Sequence, residues 1–165
     1  MEQKTCQQTR TISERIIFDG DLNDKQTLFG GKTLELLDEN AGLASFKLVR
    51  AKIATAGYDH VNFWRPITTD KYIKMESFVT GVSGRAIEVF TKIISHDRKT
   101  DVTEIAFTSF CNLVTLRSAN LSELPMIVPE TEEEKYLCSG YAKRQEVRQN
   151  DYDHKSEFLS HLSLN

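Results

Sequence analysis

One long apolar helix, predicted over residues 30 to 49, constrains the fold of this chain more than any other feature. Its apolar residues recur at spacings of three and four and so form one stripe: Leu34, Leu37, Ala41, Ala44 and Leu48. Leu36, Leu43 and Phe46 add apolar surface elsewhere around the helix. A helix that is apolar over much of its circumference is buried on several sides. The rest of the chain must therefore supply the elements that wrap it.

The segments on either side of this helix are predicted to form strands of one antiparallel sheet. Runs rich in aromatic and β-branched residues give one strand before the helix and four after it: residues 12–18, 60–65, 71–82, 85–95 and 104–116. A tight turn at Ser83-Gly84 and a second turn at 96–101 make the last three strands a meander. The plan is an α+β fold in which one curved sheet wraps a single helix. Because a half-wrapped helix leaves apolar surface exposed, we expect the unit to pair with a copy of itself.

The chain after the sheet is predicted to extend the same domain. Thr131 followed by Glu134 is a capping-box signature, which predicts a C-terminal helix, although Gly140 weakens it. We therefore predict a single domain over residues 1–149 with a helical extension at its end. Residues 150–165 are polar and are predicted to be a disordered tail.

Charge and residue usage argue against several classes of function. The 165 residues carry a net charge of −3, which disfavours a nucleic-acid partner. No apolar run approaches the roughly 20 residues that span a membrane, and the first residues do not resemble a signal peptide, so we expect a cytoplasmic protein. Three cysteines without C-x-x-C spacing and four scattered histidines predict free thiols and no metal site.

Asp38 is unexpected, because it lies on the apolar side of the predicted helix. On a helical wheel it falls beside Leu34 and Ala41 rather than with Glu35 and Glu39. A carboxylate that has lost water is costly unless donors compensate. Asp38 therefore either bonds a backbone amide or a lysine and holds the fold, or it serves chemistry.

Gly30 and Gly31 at the start of the helix, and Asn23 in the loop before it, are the other candidates. Two glycines at a helix N-terminus let a substrate approach free backbone N–H groups, which suits a developing oxyanion. Gly31 and Asp38 are seven residues apart and therefore share a face. The plainer alternatives are that the glycines only form the turn into the helix and that Asn23 is a turn or capping residue. In the functional alternative Asn23 holds a water or a substrate carbonyl through its amide.

Three segments carry motifs: NDKQTLFGGKTLELLDENAG at 23–42, YDHVNFWRPI at 58–67 and GVSGRAIEV at 81–89. Together they resemble the single-domain cytosolic acyl-CoA thioesterases of hotdog fold, over roughly residues 12–148. The resemblance implies a sheet wrapped around the central helix, a homodimer whose sheets join edge to edge, and a trimer of such dimers. It also implies hydrolysis of acyl-CoA to a free acid and CoA, with no cofactor beyond the CoA of the substrate itself.

The resemblance also assigns roles to residues. The family's acid falls on Asp38, as general base or nucleophile, its loop asparagine on Asn23, and its oxyanion-hole backbone on Gly30-Gly31. The family places its active sites at the dimer interface, so Asn23 and Asp38 of one site should come from different chains. Arg85 should bind the CoA phosphates. The residues expected to bind substrate are Phe29, Asn62, Gly84 and Arg85.

Two rival functions stay open at this point. The hotdog fold also hosts dehydratases and acyl-CoA sensors, so a dehydratase or a non-catalytic acyl-CoA-binding module is the alternative. A dehydratase would pair a histidine with an acid in the cleft, and the nearest histidine, His60, lies on a predicted strand.

The chain departs from the family's pattern in the loop before the helix. Where the family often has a glycine, this chain has Gln26 or Thr27.

Overall fold

The structure, a computed structural model, describes residues 2–117 and 123–164 of the chain. Its helices and strands are, in chain order, β1 Gln3–Thr5, α1 Cys6–Thr9, β2 Thr11–Ile16, α2 Gly30–Leu48, β3 Ile53–Phe63, β4 Lys71–Ser83, β5 Ala86–Asp97, β6 Thr103–Thr115, β7 Met126–Val128, α3 Glu132–Ser139, α4 Tyr141–Asp153 and α5 Lys155–Ser160. Strands β2 to β6 form one antiparallel sheet in the order β2-β4-β5-β6-β3.

The sheet packs on one side of α2, which confirms the predicted α+β plan. Leu37 and Ala41 of the predicted stripe are completely buried and share one core with Phe107 of β6. Leu43 and Phe46, elsewhere on the helix surface, are 52 % and 54 % exposed. The helix is therefore wrapped on one side only, and apolar side chains remain uncovered in the single chain.

The predicted meander is confirmed by β4, β5 and β6. The turn between β4 and β5 lies at Ser83-Gly84, where Gly84 has a φ of +56°, a left-handed conformation that glycine adopts at little cost. The prediction for residues 60–65 was wrong at its start, because β3 begins at Ile53. β3 is an edge strand, and its exposed residues 54–56 lack the apolar alternation of a half-buried strand.

A second apolar cluster lies on the outer face of the sheet, away from α2. Phe78, Phe90 and Phe110 of three neighbouring strands meet there, and Leu137 of α3 packs on them. The rings contact one another at centroid separations of 5.7 and 5.2 Å. The outer face is therefore covered by the segment that follows the sheet.

A buried charge network fastens α4 to this outer face. Glu88 of β5 is 1 % exposed and forms ion pairs with Arg144 and Arg148. Thr80 donates a hydrogen bond to the same carboxylate, and Arg148 also pairs with Asp59 of β3. A carboxylate at this depth is tolerated because it is paired and hydrogen-bonded. Helix α4 is thus tied to two strands.

The C-terminal segment confirms one prediction and corrects another. The helix predicted from Thr131 is present with its capping box, in which the amide of Glu134 donates to Thr131 Oγ1 at 3.2 Å. Residues 150–160, predicted to be disordered, are helical instead, because α4 continues to Asp153 and α5 follows. Residues 142–149, AKRQEVRQ, are mostly strong helix formers, so α4 is well established before it reaches the less favourable residues from 150 onward. Among the described residues, no helix has the length and apolar character needed to cross a membrane.

Strands β1 and β7 were not predicted. They form a two-stranded parallel ribbon in which Gln3 lies opposite Met126 and Thr5 opposite Val128. Three-residue strands are too short to show a period, so the sequence pattern does not reveal them. The ribbon joins the first described residues to the segment that follows the sheet.

Candidate active site

Asn23 organises the loop that precedes α2. Its Oδ1 accepts hydrogen bonds from the amides of Lys25 at 2.9 Å and of Thr27 at 3.2 Å, and its Nδ2 donates to Thr27 Oγ1 at 3.0 Å. Gln26 in this loop has a φ of +58°, the left-handed region that glycine favours. The interpretation of Asn23 as a turn residue is therefore confirmed. The same side chain also borders a cavity beside the N-terminus of α2.

The first turn of α2 presents backbone N–H groups. Phe29 is the N-cap residue and makes no capping hydrogen bond through its side chain. The amide of Thr33 donates to Phe29 O at 3.0 Å, so the amides of Gly30, Gly31 and Lys32 before it have no acceptor within the helix. At Gly31 a Cβ would lie 2.5 Å from Cε1 of the Phe29 ring, so a larger residue would displace that ring. These amides form the positive end of the helix dipole.

A half-open cavity of about 330 Å³ lies beside this N-terminus. Its polar rim comes from the loop before α2 and from the first helical turns, and its apolar wall comes from β3, the segment after it and β6. The lining residues are Asn23, Thr27, Leu28, Gly30, Thr33, Phe63, Trp64, Arg65, Pro66, Ile67, Ala106 and Phe107. The structure therefore brings Asn23 and Gly30 to one cavity. Such a mostly apolar pocket with few convergent polar groups is typical of small-molecule sites.

Asp38 is held by two hydroxyl groups of β3. Thr55 Oγ1 and Tyr58 Oη both donate to Asp38 Oδ1, each at 2.6 Å. Burial, and the Asp38 carboxylate that it bonds, raise the pKa of Tyr58 above its ordinary value, so this hydroxyl stays a donor. Among the described residues neither a lysine nor a backbone amide bonds the Asp38 carboxylate, so the plainer alternative named the wrong partners. In the part of the chain that the structure describes, Oδ2 accepts no hydrogen bond, so it is available to a water molecule.

Asp38 does not meet Asn23 within one chain. It lies seven residues beyond Gly31, which is about 10 Å along the helix axis, and it is not part of the cavity wall. The single chain thus carries two separate parts of the predicted site. One part contains Asn23 and Gly30, and the other contains Asp38 with Thr55 and Tyr58.

The predicted substrate-binding residues lie outside the cavity. Arg85 is exposed at the β4–β5 turn beside Gly84, and its Nη1 donates to Thr115 O at 2.9 Å. Asn62 donates through Nδ2 to His60 O at 2.8 Å, which stabilises a bulge of its own strand. Phe29 is 56 % exposed at the N-cap of α2. The structure of the single chain does not bring these side chains together.

Thr55 and Tyr58 were missed by sequence reasoning. The strand was predicted to start only at residue 60, so neither residue was placed on a strand, although Tyr58 opens the motif YDHVNFWRPI. The β-branched and aromatic residues Ile53, Thr55 and Tyr58 are a weak strand signal that could have extended it. His60, the histidine weighed for a dehydratase, packs edge-on against Phe110 at a centroid separation of 5.9 Å.

A central helix wrapped on one side by a five-stranded antiparallel sheet is the architecture of the hotdog fold, and the helix carries an acid that is hydrogen-bonded from the edge strand. The model of the thioesterase superfamily matches residues 25–102. The chain is 33 % identical over 162 residues to the uncharacterised acyl-CoA thioester hydrolase YkhA of Bacillus subtilis (strain 168). That match covers 98 % of this chain and 94 % of the relative.

Solved structures agree with the sequence comparison. The acyl-CoA hydrolase from Bacillus cereus superposes with a TM-score of 0.91 at 32 % identity, covering 99 % of this chain and 100 % of the other. A hexameric acyl-CoA thioesterase superposes with a TM-score of 0.85 at 30 % identity, covering 92 % and 98 %. The chain belongs to the acyl-CoA thioester hydrolases of the thioesterase superfamily, which confirms the family and the hotdog fold predicted from its motifs.

Proposed function

We propose that the protein hydrolyses the thioester of acyl-CoA to a free carboxylic acid and CoA. The observation that carries the proposal is Asp38, which two hydroxyl groups hold by one oxygen while the other is available to water. The relatives are named acyl-CoA thioester hydrolases, which supports the same substrate class. We further propose that the reaction needs no added metal or cofactor and takes place in the cytoplasm, where thiols are mostly kept reduced, as the three cysteines are here.

In the proposed mechanism Asp38 is the general base. Its Oδ2 accepts a proton from water as the water oxygen attacks the carbonyl carbon. The amides of Gly30 and Gly31 stabilise the oxyanion that develops on the carbonyl oxygen. The C–S bond then breaks, and CoA leaves as a thiolate, a good leaving group. The amide of Asn23 holds the substrate carbonyl or the water.

Direct attack by Asp38 on the carbonyl carbon, giving a mixed anhydride, is the alternative mechanism. A single turnover in ¹⁸O-labelled water reveals the nucleophilic route when water opens the anhydride at the Asp38 carbonyl carbon. With Asp38 as base, the label enters only the released acid. If Asp38 is the nucleophile and water attacks the side-chain carbonyl carbon of Asp38 in the anhydride, the label is found in the peptide that contains Asp38.

We propose that each site is completed by a second copy of the chain. β3 is an edge strand with exposed residues 54–56, and Phe63 and Trp64 at its end are 56 % and 53 % exposed. Pairing two such edges would continue the sheet and cover these apolar rings. Asn23 of one protomer and Asp38 of its partner would then share a site. A trimer of these dimers is the further assembly we propose, since one relative is a hexamer.

Release of free thiol from a panel of acyl-CoA esters of increasing chain length tests the function. Steady release with at least one ester is expected. Tight binding of every ester without thiol release would instead identify a non-catalytic binding module. Hydration of an enoyl-CoA without thiol release would identify a dehydratase.

Subunit complementation tests the shared site. Asn23→Ala and Asp38→Asn should each turn over slowly, and a mixed dimer of the two holds one doubly damaged site and one intact site. Unfolding and refolding an equal mixture makes about half the dimers mixed, so up to roughly a quarter of wild-type activity should return. No recovery, with mixed dimers verified by native mass spectrometry, would place both residues in the same chain's site.

A further inference from the structure

Two cysteines from distant parts of the chain meet on the outer face of the sheet. Sγ of Cys6, at the start of α1, lies 3.7 Å from Sγ of Cys138 near the end of α3. Both residues belong to the aromatic cluster of Phe78, Phe90 and Phe110. The third cysteine, Cys111, lies in the other core, beneath α2. The pair is therefore separated from the candidate active site by the sheet.

Both thiols are carried by anchored elements. α1 begins with a capping box at Thr5, and α3 begins with the capping box at Thr131. Arg10, directly after α1, forms an ion pair with Glu134 of α3. The contact between the sulfur atoms is thus fixed by several interactions that do not involve sulfur.

We propose that Cys6 and Cys138 are a reversible disulfide site, closed by a small-molecule disulfide such as oxidised glutathione. A disulfide has an S–S distance of about 2.05 Å, so the sulfur atoms must approach by roughly 1.7 Å. Side-chain rotation with a small adjustment of α1 supplies this movement. Two electrons and two protons pass from the protein to the oxidant, which becomes two thiols.

The two thiols differ in a way that assigns their order of reaction. Cys138 is half-buried, whereas Cys6 is 0 % exposed, so an oxidant reaches Cys138 first. The hydrogen bond from the Cys6 thiol lowers the pKa of Cys138, as does the Arg144 guanidinium, although burial and the carboxylates of Glu134 and Glu88 oppose them. The same contact and burial raise the pKa of Cys6. Cys138 is therefore the attacking thiolate and Cys6 the resolving thiol.

The exchange proceeds in two steps. The Cys138 thiolate attacks one sulfur of glutathione disulfide, an S–S bond forms, and one glutathione leaves as a thiolate. Cys6 then loses its proton and attacks Cys138 Sγ, which releases the second glutathione. The result is a covalent link between residues 132 positions apart in the chain. A link across so long a loop restricts the unfolded chain and stabilises the fold.

The experiment uses the reduced full chain incubated with excess oxidised glutathione. Two of the three thiols should be lost, and the mass should decrease by about 2 Da. A digest should contain a peptide in which Cys6 and Cys138 are linked. Dithiothreitol should reverse the thiol loss, the mass decrease and the link. The midpoint of thermal unfolding should rise by on the order of 10 °C. Cys111→Ser, the matched control, should still form the link.

Single variants test the order of reaction. Cys6→Ser should retain one glutathione on Cys138, because the resolving thiol is missing. Cys138→Ser should take up none on the buried Cys6. A stable glutathione adduct on the wild-type protein, a disulfide between chains, or three unreacted thiols would each overturn the proposal, and none of these measurements depends on thioester hydrolysis.

Discussion

Replacing Asp38 by asparagine removes the proposed base while keeping the shape of the side chain. Asparagine Oδ1 can still accept the hydrogen bonds from Thr55 and Tyr58, which both reach Oδ1 at 2.6 Å. Only Oδ2, the oxygen available to water, becomes an amide nitrogen that donates instead of accepting. The substitution therefore separates the chemistry of Asp38 from its role in holding β3 against α2.

The expected loss follows from the role of a general base. Proton transfer by a positioned side chain contributes about 10²- to 10⁴-fold, so kcat should fall by that factor, about 2.7 to 5.5 kcal/mol in activation free energy. KM should change little, because no substrate contact is removed. The free energy of unfolding should change by no more than about 1 kcal/mol, since no buried donor loses its acceptor.

The assay is the initial rate of thiol release from the best acyl-CoA ester, with the unfolding midpoint measured on the same preparation. Glu39→Gln is the matched control, because Glu39 is the next carboxylate on α2 and is exposed. It should keep the wild-type kcat. A folded Asp38→Asn protein with wild-type kcat would refute the role of Asp38, whatever the behaviour of the control.

Four further predictions follow from the same structure. Arg85→Ala should raise KM for acyl-CoA esters more than it lowers kcat, because its guanidinium would bind phosphate by charge-assisted bonds, and an unchanged KM would assign Arg85 to the turn alone. Cys111→Ser should lower stability by about 1–3 kcal/mol, because Cys111 is completely buried. It should not abolish thiol release, because burial raises the pKa of Cys111 to about 12 and keeps it a thiol. A folded but inactive variant would indicate a thiol mechanism. Burial opposes ionisation of Glu134, yet backbone amides and Arg10 hold the pKa of Glu134 below its ordinary value. The stability lost in Glu134→Gln at neutral pH should therefore shrink as the pH falls below about 4.3. Denaturant titrations at several pH values measure this change. Chelator-treated protein should keep full activity, and loss of activity that zinc restores would contradict the proposed metal-free reaction.

The sequence predicted the fold where the periods are long and clear. α2 spans 19 residues and β4 to β6 span 12 or 13 each, so each repeats its pattern several times. The start of β3 was missed because an edge strand needs no apolar alternation. Its residues 54–56 face solvent in the single chain.

The candidate site was predictable in its parts but not in its assembly. The motif placed Asp38 and the Gly30-Gly31 turn on one helix, and α2 begins at Gly30 as expected. The partners of Asp38 depend on how β3 crosses the helix, which is a tertiary contact that no local pattern encodes. In the proposed dimer Asn23 and Asp38 come together only through a second copy of the chain, so neither the sequence nor one folded chain would display that contact.

The pairing of Glu88 with Arg144 and Arg148 also bears on when this chain can fold during its synthesis. The ribosome makes β5 and the last strand of the sheet, which ends at Thr115, well before it makes the two arginines. Until then the outer face of the sheet is open to water, so the Glu88 carboxylate stays hydrated and carries no penalty for lacking its cations. The cover over this face closes only when α4 emerges and supplies both arginines. A nascent chain stalled between β6 and α4 would leave the rings of Phe78, Phe90 and Phe110 accessible to chaperones and proteases.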